Sequence, residues 1–311
     1  MARAVVATAY GDPGVLALVD VRNGSPGPGQ VLLEVRAAGV NPSDWKSYSG
    51  AWGTDPGKLP LRLGHEASGV VLAVGPDVEG VEPGDEVIAY PVTGAYADRV
   101  LVRATSLLPK PAGLSWEKAA GLMVAGVTAA HTLEATRVGA GDTVLVHGAS
   151  GGVGAMVVQL AHAKGARVIG TAGPVNHEYV SDLHAVPVAY GPGLADRVRA
   201  AAPGGVSAAI DTAGTDEALD TSATLVTDRH RIATIAGFRR GAQLGVHLLG
   251  GGEGADPGKD VRMKARAALV RHWENGHLDV RVGATYHLAD VARAHRAGID
   301  GKVQGKIILK P

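Results

Sequence analysis

The stretch VLVHGASGGVGAMVVQLAHAKGARVIGTAG, residues 144–173, is the strongest indication of the fold in this chain. A run of branched apolar residues stops at a cluster of glycines, and an Ala/Val-rich segment of helical composition follows. Apolar strands then alternate with Ala-rich helical segments as far as about Gly237, as in VPVAY, VSAAIDTAG and RIATIAG. This alternation predicts an α/β fold built on a doubly wound parallel sheet.

The glycine cluster has the spacing and position of a dinucleotide fingerprint. Ala149, Gly151 and Gly154 stand in the pattern A-x-G-x-x-G between a predicted strand and a predicted helix. The first small residue permits a tight turn, the second lets the backbone approach a pyrophosphate, and the third lets helix and strand pack closely. The helix N-terminus then offers unpaired N–H groups to phosphates. An ordinary glycine-rich turn is the alternative. The predicted cofactor-binding residues of the turn are Ala149, Ser150, Gly151, Gly152, Val153 and Gly154.

The residues after the second predicted strand favour NADPH over NADH. NAD enzymes keep an acidic residue there for the ribose hydroxyls, whereas here no acid appears before Glu178. The missing carboxylate removes repulsion against a 2′-phosphate. No Arg or Lys follows directly to bind that phosphate, and Asn176, His177 and Tyr179 are candidates to hydrogen-bond it. His177 is alternatively an exposed residue at a helix start. The predicted cofactor contacts here are Thr171, Gly173, Asn176 and His177.

Composition excludes several classes of function. The 311 residues carry 30 basic and 30 acidic side chains without a basic block, so neither nucleic acid nor an anionic membrane is an expected partner. The chain has no cysteine, which excludes disulfides, thiolate chemistry and cysteine-built metal sites. The N-terminus lacks a signal pattern, and the longest apolar stretch is too short to span a bilayer. We therefore predict a cytoplasmic protein.

The regions before and after this segment show a different pattern of predicted secondary structure. The first hundred residues read as short strands separated by Gly, Pro and Asp turns, among them QVLLEVRAAGV, DEVIAY and YADRVLV, which predict a small β-barrel or sandwich. Ser115 is a predicted N-cap for a following helix. The chain ends in another predicted strand, GKIIL.

Several local sequences together resemble the quinone oxidoreductase (zeta-crystallin-like) branch of the medium-chain dehydrogenase/reductase superfamily. They include GHEASGVVLAVG, EPGDEV, GVTAAHTL, VLVHGASGGVG and GKIIL, and they cover nearly the whole chain. The resemblance implies a GroES-like β-barrel substrate domain (1–118), a Rossmann NADP(H)-binding domain (119–279), a return to the substrate domain (280–311) and a cofactor cleft between the domains. It also implies a homodimer or higher homo-oligomer, with Gly241 to Leu249 as the candidate sheet edge; those apolar residues are alternatively internal core.

The same resemblance predicts a zinc-free site. In the zinc-dependent branch His65 would be a catalytic ligand, but the cysteine expected as first ligand is replaced by Asn41, and the region of Met123 supplies no further ligand. One histidine cannot hold a catalytic zinc, which needs about three protein ligands. His65 is expected instead to be a hydrogen-bonded residue near the cleft.

The resemblance places the segment Asn41 to Trp52 on the substrate side. Asn41 is then expected to donate an amide hydrogen bond to the substrate carbonyl, and Tyr48 and Lys46 to polarise the substrate or donate a proton. Alternatively, Lys46 is a solvated surface cation and Tyr48 a packing residue at the rim. For the cofactor, the remaining predicted contacts are Thr128, Thr212, Ala213, Gly214, Ala236, Gly237, Phe238 and Lys306, the last being alternatively a surface lysine at a strand start.

Together these features predict an oxidoreductase that transfers a hydride from NADPH to a small-molecule quinone without a metal. A quinone is already electrophilic, so positioning and weak polar stabilisation of the developing oxyanion suffice, which suits a sequence without an evident catalytic triad. The alternative within the same chemistry is reduction of an enone or alkenal double bond. An alternative of another class is a non-enzymatic NADPH-binding protein, as lens crystallins of this family exemplify. A zinc alcohol dehydrogenase does not fit the missing ligands.

Overall fold

The computed structural model describes residues 2–311. These residues form sixteen strands and nine α-helices. In chain order the strands are β1 Ala2–Ala7, β2 Leu16–Val21, β3 Gln30–Val40, β4 Leu61–Arg62, β5 Ala67–Val74, β6 Glu86–Ala89, β7 Arg99–Arg103, β8 Leu107–Pro109, β9 Thr143–His147, β10 Arg167–Ala172, β11 Ala185–Ala189, β12 Ala208–Asp211, β13 Ile232–Thr234, β14 His247–Leu248, β15 Val282–His287 and β16 Lys306–Lys310. The helices are α1 Pro42–Tyr48, α2 Trp116–Ala135, α3 Gly152–Ala163, α4 His177–Asp182, α5 Leu194–Ala201, α6 Asp216–Leu225, α7 Phe238–Leu244, α8 Lys259–Glu274 and α9 Val291–Ile299.

The chain divides into two compact units. The first contains the residues up to Val124 together with Val280–Pro311, and the second contains Ala125–Asp279. The boundary at Val124 falls inside helix α2, whose N-terminus is capped as predicted: the amide of Lys118 donates to the Ser115 hydroxyl at 3.2 Å. Among the described residues, no helix is both long enough and apolar enough to cross a membrane.

The first unit is built on two mainly antiparallel sheets, in which β15 and β16 form the one parallel pair of the described strands. The larger sheet has the order β15-β16-β3-β5-β6-β8, with β7 also pairing with β3, and a smaller sheet has the order β2-β1-β4. The long strand β3 pairs antiparallel with both β5 and β16, so the last strand of the chain lies beside the start of helix α1. Its core is filled by branched and aromatic side chains, among which Tyr48 and Tyr96 are fully buried.

The second unit contains a six-stranded sheet in the order β11-β10-β9-β12-β13-β14, and every neighbouring pair is parallel. This confirms the predicted doubly wound sheet. Strand β9 is central, and its residues Val144, Leu145 and Val146 are fully buried, as expected for a parallel strand covered on both faces. Strands β10 and β11 lie on one side of β9, and strands β12 to β14 lie on the other. The carboxyl ends of β9, β10 and β12 therefore flank a topological switch point.

The predicted edge segment from Gly241 to Leu249 is mostly not a strand. Residues 241–244 are the end of helix α7, and only His247–Leu248 form strand β14. The helix stops because Gly245 adopts a left-handed conformation with φ 67°, which glycine reaches without a Cβ penalty. Strand β14 does lie at the edge of the six-stranded sheet, but it covers only two residues of the predicted segment.

Candidate functional site

Three glycines of the turn after β9, Gly148, Gly151 and Gly154, differ in the space around them. At Gly148, φ is +73° and a Cβ would lie 2.7 Å from the Thr212 hydroxyl oxygen. At Gly154 a Cβ would overlap the carbonyl oxygen of Gly148, so only glycine lets helix α3 pack against the turn. At Gly151 a Cβ would meet a single heavy atom of the described residues within 4 Å, the Gly148 oxygen at 3.3 Å. The backbone at Gly151 is therefore open to close approach.

Helix α3 presents an uncapped N-terminus at this turn. Gly151 is its N-cap residue and supplies no side-chain hydrogen bond. The first N–H groups of a helix have no intrahelical partner, and the helix dipole adds partial positive charge there. The turn is held to the neighbouring strand because the Ala149 amide donates to the Thr171 carbonyl at 3.0 Å. Such an end can bind phosphate groups.

Behind the turn lies a buried histidine that the sequence analysis did not single out. The His147 ring lies 3.1 Å by Nε2 from the Ser222 hydroxyl and 3.3 Å by Nδ1 from the Thr171 hydroxyl. Burial lowers the pKa of His147 to about 4, so the ring is neutral near pH 7. The Thr171 hydroxyl also accepts the Gly148 amide at 3.3 Å. The side chain of Thr171 is thus occupied internally, and the structure does not support its predicted contact with the cofactor.

Asp211 organises the loops that follow β12 and β13. It is fully buried, and burial raises its pKa despite the hydrogen bonds that it accepts. One carboxylate oxygen accepts the amides of residues 213–214, both at 2.9 Å, and the other accepts the Thr234 hydroxyl at 2.7 Å. The Thr234 oxygen in turn accepts the amides of residues 236–237. The signal for Asp211 in the sequence is a carboxylate that ends the apolar strand AAID.

The end of β10 lies beside an exposed tyrosine that was also missed. Tyr190 follows β11 with 64% of its surface exposed, and a Cβ at Gly173 would lie 3.4 Å from its hydroxyl oxygen. His177 contributes to the same edge through Nε2, which lies 3.2 Å from the Ala172 carbonyl oxygen. Asn176 precedes it at the end of a single 3₁₀ turn. These residues form one surface at the carboxyl ends of β10 and β11.

Two further predicted cofactor residues support neighbouring elements of the second unit. The Thr128 hydroxyl on α2 accepts a hydrogen bond from Arg262 at 3.0 Å. The Phe238 ring packs against Gly252, where a Cβ would lie 2.9 Å from the ring. Phe238 therefore supports the glycine-rich loop that follows β14. We call the carboxyl ends of β9 to β13 with these loops the cofactor edge: residues 148–154, 171–177, 212–214 and 236–238.

The first unit contains a buried polar cluster formed by Asn41, Glu66 and Lys306. The Lys306 ammonium lies 2.9 Å from Oε1 of Glu66 and also donates to the Asn41 side-chain oxygen. The Asn41 amide nitrogen donates to the same Glu66 oxygen at 3.0 Å. The other oxygen of Glu66 accepts the Val124 amide at 2.8 Å.

This cluster occupies side chains that the sequence assigned to ligands. Both ends of the Asn41 amide have protein partners, so the structure does not support the predicted hydrogen bond to a substrate carbonyl. The Lys306 ammonium has three acceptors, the third being the Val40 carbonyl at 3.3 Å, and its predicted contact with the cofactor is likewise unsupported. The physical reason is that burial forces each polar group to find a partner inside the protein.

Tyr48 and Lys46 lie on the short helix α1 in different environments. Tyr48 is fully buried with its hydroxyl 2.8 Å from Nδ1 of His295, and burial raises its pKa. A buried and hydrogen-bonded hydroxyl cannot touch a substrate in this conformation, so the structure does not support its predicted catalytic role. Lys46 is half-buried, and burial lowers its pKa. Of the two, Lys46 keeps an accessible side chain.

His65 lies at the edge of the same region. Its Nε2 is 3.5 Å from Oδ1 of Asp44, which is a fully buried carboxylate. The other oxygen of Asp44 accepts hydrogen bonds from the Tyr96 hydroxyl and from the backbone N–H of Asn41, both at 2.7 Å. Burial raises the pKa of Asp44. Within residues 2–311, no three His, Asp or Glu side chains are grouped to hold a metal ion. Independence from zinc stays a prediction.

Both units match known protein families. Residues 27–112 match the alcohol dehydrogenase GroES-like domain, and residues 152–253 match a family described as zinc-binding dehydrogenase. The α/β architecture with these two kinds of domain agrees with the predicted fold class.

Several of the proteins that this chain resembles are named quinone oxidoreductase. A quinone oxidoreductase of Pseudomonas aeruginosa is 31% identical over 330 residues that cover all of both chains. A quinone oxidoreductase of Mus musculus is 40% identical over 174 residues, which are 55% of this chain and 52% of the relative. The match thus spans about half the length of the mouse protein. A mycobacterial protein solved in complex with NADPH is similar over 100% of both chains, with 31% identity and a TM-score of 0.86.

Proposed function

We propose that this chain, which belongs to the quinone oxidoreductase family of medium-chain dehydrogenases/reductases, is an NADPH-dependent oxidoreductase that reduces a quinone. The observation that carries the proposal is the uncapped N-terminus of α3 behind the open backbone of Gly151. That arrangement fits the pyrophosphate of a dinucleotide. The mycobacterial relative bound to NADPH supports the same cofactor.

We place one part of the dinucleotide on each segment of the cofactor edge. The pyrophosphate is placed on the turn from Gly151 to Gly154 and on the first amides of α3. We place the ribose with its 2′-phosphate beside Gly173, because the sequence has no acidic residue from there to Glu178 and because Asn176 and His177 begin the next helical segment. The nicotinamide is placed near the loops that Asp211 organises, residues 212–214 and 236–238. When bound, NADPH supplies the hydride for the reduction.

The acceptor needs little help from the protein. Because a quinone is electrophilic, the chain has to orient it, exclude water and stabilise a developing oxyanion. Asn41 and Tyr48 are occupied by internal hydrogen bonds, which leaves Lys46 as the polarising group. Burial lowers the pKa of Lys46, and this makes its ammonium group a better proton donor.

We propose that the reaction proceeds without zinc. The chain has no cysteine, and the Asn41 side chain is tied to Glu66 and Lys306. The Lys306 ammonium therefore already places a cation between Asn41 and Glu66. The lack of cysteine also agrees with a reducing compartment, and we propose a cytoplasmic homodimer, for which light scattering in solution is the direct test.

The test is NADPH oxidation by the chelator-treated protein, followed by nicotinamide absorbance. One arm supplies p-benzoquinone and another an α,β-unsaturated aldehyde; parallel runs replace NADPH with NADH or add zinc. We expect turnover with the quinone that prefers NADPH and is unaffected by chelator. Turnover with the aldehyde alone would transfer the proposal to double-bond reduction. Activity only after zinc addition would contradict the zinc-free mechanism, and tight NADPH binding without any turnover would favour a non-enzymatic role.

A further inference from the structure

The loop after β11 is fastened by one arginine. Arg197 on α5 directs three guanidinium nitrogens at three carbonyl oxygens of a single turn of chain: Nε donates to Ala189 at 3.0 Å, one terminal nitrogen to Pro192 at 2.7 Å and the other to Gly191 at 2.8 Å. The planar fork of a guanidinium suits such multiple donation, which an ammonium group cannot reproduce.

The same loop is held from a second helix. The carboxylate of Glu217, near the start of α6, accepts the amide of Gly191 at 3.0 Å. The backbone of residues 189–192 is therefore bound through its carbonyl groups by α5 and through an amide by α6. We call Arg197 and Glu217 together the loop clamp.

The clamp orders a segment whose one large side chain stays in solvent. Tyr190 lies between the clamped peptide groups and is 64% exposed, and Val175, in the 3₁₀ turn after the neighbouring strand β10, is 79% exposed. Surface loops are ordinarily the mobile parts of a domain. Polar groups that immobilise the backbone around an exposed aromatic ring gain little for the core, because the ring buries little area. The arrangement instead suits a flat ligand that receives a fixed ring at low entropic cost.

We propose that Arg197 and Glu217 are positioning residues that hold Tyr190 ready for the adenosine end of the dinucleotide, an inference that rests on the proposed function. The Tyr190 hydroxyl lies close to Gly173, since a Cβ at that glycine would be 3.4 Å from it, and Gly173 is where we place the ribose and its 2′-phosphate. The clamp touches no part of the cofactor itself and acts through Tyr190. Because this end of the dinucleotide is remote from the hydride, the clamp governs affinity for NADPH and leaves the chemical step unchanged.

The variants separate this role from simple stabilisation. Arg197→Ala removes the three donors, and Arg197→Lys keeps the charge without the fork. Glu217→Gln keeps an oxygen acceptor for the Gly191 amide, whereas Glu217→Ala removes it. Arg199→Ala is the matched control, because Arg199 lies on the same helix and its side chain pairs only with Asp196 at 2.7 Å.

Each variant is measured by NADPH fluorescence titration, steady-state kinetics and thermal unfolding. Arg197→Ala and Glu217→Ala are expected to raise Kd and KM for NADPH about threefold to tenfold at unchanged kcat. Glu217→Gln should keep Kd and KM near their wild-type values. Arg197→Lys should give values between those of the wild type and of Arg197→Ala, and Arg199→Ala should change neither constant. Tyr190→Ala should weaken binding similarly, and the Arg197→Ala/Tyr190→Ala double variant should be no weaker than Tyr190→Ala alone, since the clamp acts through that ring.

Two results would overturn the inference while the proposed function stands. One is wild-type affinity in Arg197→Ala and Glu217→Ala, with or without a lower Tm, which would leave the clamp a structural feature only. The other is full additivity of the Arg197 and Tyr190 changes, which would mean that the clamp acts independently of the ring. Failure of the wild-type protein to bind NADPH is a separate outcome that overturns the proposed function and this inference with it.

Discussion

The ammonium group of Lys306 lies 2.9 Å from Oε1 of Glu66 in a region where the lysine is 5% exposed and the glutamate not at all. The pair joins the last strand of the chain to the segment before β5. Space for it depends on Gly39, where a Cβ would overlap Oε1 of Glu66. The polar cluster is thus an integral part of the first unit's interior, and its groups hydrogen-bond to one another.

Removing one partner of this pair should destabilise the protein strongly. Lys306→Met leaves the Glu66 carboxylate buried without its cation, and we expect a loss of about 3–5 kcal/mol in the free energy of unfolding. Lys310→Met is the control, because Lys310 lies on the same strand but pairs with Glu117 while 47% exposed, and it should cost under about 1 kcal/mol. Equal denaturant midpoints for the two variants would show that the buried Lys306–Glu66 pair is no more important for stability than the exposed pair.

Two glycines of the turn should respond differently to alanine. Gly154→Ala forces α3 away from the Gly148 carbonyl, and we expect a loss of about 1–3 kcal/mol in stability together with weaker NADPH binding. Gly151 has φ −78°, which alanine adopts freely, so Gly151→Ala should fold normally. Its methyl group would nevertheless occupy the open approach to the turn, and NADPH affinity should fall about tenfold or more, equivalent to about 1.4 kcal/mol. Unchanged NADPH affinity in a well-folded Gly151→Ala protein would argue against the pyrophosphate placement.

Acid should destabilise the first unit through His295. Burial lowers the pKa of this histidine to about 4, against about 6.5 for an unfolded chain. Between these values the unfolded state binds a proton that the folded state does not, so stability falls as the pH drops from about 6.5 to about 4. His295 alone should contribute a slope of about 1.4 kcal/mol per pH unit, or on the order of 3 kcal/mol in total.

Urea unfolding at several pH values measures that slope. His295→Asn is the matched variant, because its side-chain oxygen can take the place of the Nδ1 that faces the Tyr48 hydroxyl, and it does not titrate. The variant should show a shallower pH dependence by about that amount. If both proteins lose stability in parallel over this window, His295 is not the group responsible.

Asp211 should affect NADPH binding although it is fully buried, because it anchors the loops after β12 and β13. Asp211→Asn replaces one of two acceptor oxygens by an NH₂ group among donors, and we expect a cost of about 1–3 kcal/mol together with a higher KM for NADPH. Asp216→Asn, at an exposed residue paired with Arg239, is the control and should change neither quantity. A normal KM in Asp211→Asn would show that the loops after β12 and β13 keep their positions without this anchor.

Local sequence patterns were sufficient for the second unit. Strand and helix periodicity and the glycine spacing are properties of neighbouring residues, and the parallel sheet and the turn from Gly148 to Gly154 follow from them. Strand ends of a parallel sheet also meet at one edge, which is why the segments at 171–177, 212–214 and 236–238 were identified together. The loop at Tyr190 was missed because nothing in the sequence near it shows that Glu217 will bind the backbone of Gly191.

The partners of the buried polar side chains were decided by the tertiary structure alone. Asn41 and Lys306 are 265 residues apart in sequence, and Tyr48 and His295 are 247 apart. Whether a side chain faces a ligand or an internal partner depends on which distant segment is folded against it, and a linear pattern does not contain that information. The sequence therefore determined the architecture and the cofactor edge through local propensity and periodicity. The burial of Asn41, Tyr48 and Lys306 depends on the tertiary structure, in which the last strand brings Lys306 to Asn41 and the last helix brings His295 to Tyr48. Buried polar groups bond to the partner that the fold brings within reach.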